Sequence, residues 1–121
     1  MESYYIVNDP NDPLAARATE IRKQDYLFWK EVKPDLEDDF DISCHTLATR
    51  TGLSERRTRD ITMALYRLAE LPLTRALQET YYFLDFSRLI TIDAVLSKLG
   101  DVPTETLERI DQELASYLTP T

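Results

Sequence analysis

The sequence predicts an all-α protein: a compact bundle of five or six helices that includes a helix-turn-helix-like pair. Three observations carry this expectation. Only two glycines occur in 121 residues, Gly52 and Gly100, and a β-rich chain of this length needs more turn glycines than that. The strong helix formers Leu, Ala, Glu and Arg dominate the composition. Apolar residues also recur at helical spacing along most of the chain. The length suits one ordinary domain, and an apolar share of 43% is too high for a disordered chain.

Taken in order, residues 1–11 read as a flexible tail, and 12–121 as a single helical domain. Asp12-Pro13 is an N-cap followed by proline at the first helical position, opening a leading helix over 12–33. Leu14, Ala18, Ile21, Phe28, Trp29 and Val32 fall on one helical stripe, which Asp25 interrupts. Pro34 ends this helix, because the residue before a proline is pushed out of the α region. Residues 35–42 form an acidic linker. In the helical region 43–121, Ser43 is the expected cap of a short helix through Thr51, closed by Gly52. Ser54 caps the next helix, which runs to about Leu71, and Pro72 breaks it. Another helix runs from Leu73 to about Tyr82. Asp85 caps a fifth, with Phe86, Leu89, Ile90, Leu96 and Leu99 on or near one face and Gly100 at its C-terminal end. Pro103 starts the last helix, where Leu107, Ile110, Leu114 and Tyr117 follow 3-4-3 spacing. Those four residues are the candidate contact for self-association.

The net charge of −8 conceals a pattern. Residues 1–45 carry 11 acids and 5 bases, a net of −6, while residues 46–75 carry 6 bases and 3 acids, a net of +3. Residues 76–121 return to 8 acids and 3 bases, a net of −5. Overall acidity argues against indiscriminate nucleic-acid binding, but it leaves room for a local basic face. No apolar run is long enough to span a membrane, and the first residues do not resemble a secretory signal. A single cysteine, Cys44, forms no internal disulfide and suits a reducing compartment, so the cytoplasm is expected.

The segment with a functional shape lies at 43–71. Ala48 is small, as a close helix crossing requires. Gly52, four residues later, permits a left-handed turn conformation. Leu53 is expected to be a buried plug, Ser54 a cap, and Ile61 and Leu65 core residues. Thr58 stands six positions after the glycine, where a β-branched apolar residue is usual. In a helix-turn-helix the second helix enters the major groove, and its early residues meet base edges and phosphates. Arg50, Arg56, Arg57 and Arg59 are therefore the candidate DNA contacts, with the acidic linker expected to lie over them and compete.

Residues from about 45 to 121 resemble the bacterial thirteen-E-twelve repeat family, a domain of unknown function found N-terminal to HNH endonuclease domains. The resemblance is carried by Leu47-Ala48, Gly52-Leu53-Ser54, Arg56-Arg57 and Leu65-Tyr66-Arg67-Leu68. It continues through Leu71-Pro72-Leu73-Thr74 and Ala76-Leu77-Gln78-Glu79 to Ile90 and the closing Leu114 to Pro120, with Thr80 where the family commonly has glycine. It implies that the chain is the accessory N-terminal part of a longer HNH-nuclease-like protein. It assigns no activity to this part.

Other constellations carry no chemistry. Cys44 and His45 are adjacent, so on a helix they point about 100° apart, and no further Cys or His completes a metal set. Glu37, Asp38, Asp39 and Asp41 lack the glycine and alternating ligands of a calcium loop. The aromatics Tyr26, Phe28, Trp29, Tyr81, Tyr82, Phe83 and Phe86 have acidic or apolar neighbours, which predicts core packing over base stacking. The sequence thus predicts a non-catalytic domain without cofactor or metal. It contacts DNA through the basic segment or, as the alternative, serves as a protein-interaction or dimerisation module.

Overall fold

A computed structural model describes residues 11–119. The fold is all-helical, with α1 at Pro13–Val32, α2 at Phe40–Thr51, α3 at Glu55–Ala69, α4 at Pro72–Tyr81, α5 at Phe86–Lys98 and α6 at Thr104–Leu118. Of the expected tail, only Asn11 falls among the described residues. No described helix is long and apolar enough to cross a membrane.

α3 is the central element, packed against α1, α2, α4 and α5. Its sequence explains why. Thr58, Ile61, Thr62, Ala64, Leu65 and Leu68 are all buried, and their 3- and 4-residue spacing makes a broad inward stripe. Ile61, Ala64, Leu65 and Leu68 join Tyr26 and Trp29 of α1, Leu84, Phe86 and Leu89 at the start of α5, and Leu118 of α6 in one core. Each large apolar side chain removed from water there contributes roughly 1.5–3 kcal/mol before entropy is counted. Thr58 fills the position where an apolar residue is usual and is fully buried. Its hydroxyl donates to the Ser54 carbonyl at 3.0 Å and so needs no other partner. Thr62 repeats the device one turn on, donating to the Thr58 carbonyl at 2.8 Å.

The helix limits follow local signals closely. Asp12, Ser54 and Asp85 cap α1, α3 and α5 by accepting from the backbone N–H of Leu14, Arg57 and Arg88. Gly52 and Gly100 take left-handed conformations at φ 76° and 71°. One cap is displaced from its expected site. α2 begins at Phe40, not after Ser43, because the Asp39 side chain accepts from Ile42 N–H and starts the helix a turn earlier. The acidic linker is correspondingly shorter than 35–42, and Asp41 belongs to the first turn of α2.

The leading helix also faces differently from its apolar stripe. Leu14, Ile21 and Phe28 are exposed, while Tyr26 and Trp29 are buried. The larger aromatic area decides the orientation: Tyr26 stacks on Phe86 and meets Tyr82 edge-on. The remaining aromatics divide similarly. Tyr82 and Phe83 pack partly against the core, whereas Tyr81 and Phe28 are exposed, correcting the expectation that all seven are core. On α5, Leu99 is exposed as the C-cap just past the helix end at Lys98, which corrects its expected place on the apolar face.

α4 and α6 are joined by polar groups. α4 has no side-chain cap of its own. Asp111, from the middle of α6 and 3% exposed, accepts from Leu73 N–H at 3.0 Å, from Thr74 N–H at 2.8 Å and from the Thr74 hydroxyl at 2.7 Å. A carboxylate at a helix N-terminus also opposes the macrodipole favourably. At the other end of α4, the buried Gln78 amide donates to the Leu84 carbonyl and accepts from Leu84 N–H, fixing the turn into α5. Tyr82 sits in that turn at φ 54°, a conformation rare without glycine. Its carbonyl accepts from Arg22 Nε at 2.7 Å, which ties α1 to the turn. Arg67 of α3 bonds both Asp93 of α5 and its neighbour Glu70.

Candidate nucleic-acid interface

The two helices of the expected helix-turn-helix-like pair pack on each other and are joined by a three-residue turn. α2 ends at Thr51, Gly52 caps it with its N–H on the Ala48 carbonyl, and α3 begins at Glu55. Cys44 and Ala48 are the buried residues of α2, which packs on α3, and Thr62 of α3 meets the Cys44 thiol. Leu53 is not the plug. It is 42% exposed in the turn, whereas Cys44 and Ala48 of α2 and Thr58 of α3 are buried.

The four arginines lie on these two helices, in different surroundings. Arg50 is exposed in the last turn of α2. Arg56 lies in the first turn of α3 with its side chain 92% exposed, and Asp60 stands 4.0 Å away on the same helix. Arg57 is exposed, and its backbone N–H is the donor that Ser54 caps. Its positive charge is felt by Asp25 of α1. Asp25 is an exposed residue, yet partial desolvation of its carboxyl raises its pKa, with Arg57 the largest opposing influence. Arg59 differs from the rest. Its Nη2 meets Asp41 Oδ1 at 2.7 Å, and its guanidinium lies 5.6 Å over the Phe40 ring. The bond to Asp41 raises the guanidinium pKa further, so the pair is a charged one. Arg59 is thus held by α2.

The acids that moderate this face come from three directions: Asp41 from α2, Asp25 from α1, and Glu55 and Asp60 from α3 itself. Glu55 pairs with His45, which separates His45 from Cys44. His45 is exposed, while Cys44 is fully buried and burial pushes its thiol pKa up. A protonated, buried thiol is a poor nucleophile. Among the described residues no three His, Cys, Asp or Glu side chains are grouped to hold a metal. Asp39 caps α2 and Asp41 binds Arg59, so two of the linker acids have structural partners. The remaining chemistry available to the face is electrostatic: guanidinium groups at the positive end of a helix, suited to phosphate oxygens.

The arginine positions, Arg59 included, were legible as a basic run at helix spacing. The residues that modify them were not. Asp41 and Asp25 lie 18 and 32 residues before their arginine partners, Arg59 and Arg57, and no local pattern links them. The candidate self-association residues on α6 are split. Leu107, Ile110 and Leu114 are half-buried on the helix that packs on α4, while Tyr117 is exposed. A hollow between α4 and α6 is walled by Glu70, Leu73, Leu107, Glu108 and Asp111, but its buried carboxylate is already engaged by the N-terminus of α4.

No family model, curated protein or solved structure matches this chain.

Proposed function

We propose that this chain is a non-catalytic helical module that contacts duplex DNA through the end of α2 and the N-terminal turn of α3, as the accessory part of an HNH-nuclease-like protein of the cytoplasm. The observation that supports this reading is the tight Gly52–Ser54 turn, with the exposed Arg50 shortly before it in α2 and the exposed Arg56 and Arg57 just after it in α3. These three arginines serve as phosphate contacts, which position a protein on the duplex without reading sequence. Arg59, held by Asp41 and Phe40, braces α2 on α3 and is not a primary contact. The acids around the face and the net charge of −8 make the interaction weak and strongly dependent on salt.

The test is a low-salt titration of labelled duplex DNA by fluorescence anisotropy, comparing the wild type with an Arg50/Arg56/Arg57→Ala variant. The expected result is affinity lower by about tenfold or more and a salt slope reduced by about 2–3, near one per lost phosphate contact. Equal binding by both proteins, or binding by neither, overturns the proposal. A second reading, a protein-interaction module, is favoured by one specific observation: an apolar row left exposed on α1.

A further inference from the structure

That row consists of Leu14, Ile21 and Phe28, which are 74%, 69% and 46% exposed. They repeat every seven residues, close to two turns of helix, and so share one stripe. The stripe lies well round α1 from the side that carries Tyr26 and Trp29 into the core. Other large apolar side chains are exposed elsewhere, among them Leu36, Ile42, Val95 and Leu99, but these three are aligned along four turns of one helix, and an aligned apolar patch commonly marks an interface.

The spacing of the row selects its partner. Leu14 and Phe28 each lie seven residues from Ile21, on opposite sides of it, and Arg17 and Asp25 each lie four residues from it. We infer that α1 is a self-association face, on which two copies of this chain pair antiparallel about a two-fold axis at Ile21. The inference goes beyond the DNA-binding reading and does not depend on it.

In that arrangement Ile21 meets Ile21 of the other copy, and Leu14 lies level with Phe28 at each end. Between these apolar layers, Arg17 and Ala18 of one copy lie level with Asp25 and Gln24 of the other. The small Ala18 leaves room for Arg17 to reach towards the opposing Asp25 carboxylate, which within its own chain also accepts from the Trp29 side chain and lies under the influence of Arg57, twice per dimer. A parallel pairing would set Arg17 against Arg17 and Asp25 against Asp25. Like charges would then face each other at both levels, so charge selects the antiparallel orientation, as flanking charges do in paired helices. The contact is isologous and closed, which gives a dimer and not a fibre. One helix face buries less than the roughly 1,600 Å² of a standard interface, so the dimer forms in proportion to concentration.

Sedimentation velocity on the full chain over a concentration series tests the inference. The expected result is a reversible monomer–dimer equilibrium. Ile21→Glu weakens it by about tenfold or more, since two carboxylates then meet at the axis. Ile21 is exposed, so the fold is retained, and far-UV circular dichroism checks that it is. Orientation is read by mixing a Leu14→Cys protein with a Phe28→Cys protein under mild oxidation. Preferential formation of the mixed disulfide supports antiparallel pairing. Preferential homodisulfides, a strict monomer at all concentrations, or a dimer indifferent to Ile21→Glu each overturn the proposal. The last of these would move self-association to another surface, such as α6. None of the outcomes bears on the DNA titration, so the two readings fail separately.

Discussion

The N-termini of α3 and α4 solve the same problem by different means. Each leaves backbone N–H groups without intrahelical partners. α3 is capped by its own Ser54, three residues before the donor at Arg57. α4 begins at a proline after Leu71 and has no cap within its own sequence. Asp111, from a helix more than thirty residues further on, takes over the task and accepts from Leu73 and Thr74. The first device is local, exposed and modest in effect. The second is buried, charged and tertiary, and it couples the formation of α4 to the docking of α6. A local cap stabilises one helix, whereas a tertiary cap makes two helices depend on each other.

The largest expected effect tests that dependence. Asp111→Ala leaves two helix N–H groups and the Thr74 hydroxyl without their buried acceptor, and should cost about 3 kcal/mol. The denaturant midpoint should fall accordingly, and amide exchange should accelerate at both Thr74 and the residues of α6. Exchange that rises in α4 alone would break the claim that the two helices stand together. Gln78→Ala probes the other end of α4, where one amide satisfies both backbone groups of Leu84. The expected loss is about 2 kcal/mol, from two unsatisfied buried groups and a small cavity. A loss below a few tenths would mean that the turn into α5 holds without it. Ser54→Ala should be the mildest, about 1 kcal/mol as for an ordinary exposed cap. Its exchange effect should stay within the first turn of α3, where Arg56 and Arg57 lie. If it matched Asp111→Ala in size, the distinction between local and tertiary capping would fail.

The α1 and α3 faces show the same division. On α3 the inward stripe and the outward arginines both follow from the 3.6-residue period, so both were readable. On α1 the period was also readable, but the choice of face was not. Leu14, Ala18, Ile21, Phe28, Trp29 and Val32 form a plausible core stripe, yet the protein buries Tyr26 and Trp29 and leaves Leu14, Ile21 and Phe28 in solvent. α1 meets the domain through its C-terminal half, where Tyr26 stacks on Phe86 and Arg22 bonds the Tyr82 carbonyl. The partners that decide this lie about 60 residues away in sequence, beyond the reach of any helical window. Arg59 is a parallel case. Its spacing groups it with Arg56 and Arg57, and only the packing of α2 on α3 brings it to Asp41.

By itself, the sequence determined the class, a bundle of five or six helices, and most of the boundaries. Asp12, Gly52, Ser54, Pro72, Asp85 and Gly100 act on backbone groups within a few residues of themselves, and those short-range forces are written in order along the chain. The tertiary structure decided which stripe of α1 is buried, which arginine is already bound, and what caps α4. Each of those outcomes depends on burial and on charge partners from distant segments, and such terms acquire a value only when the helices have packed.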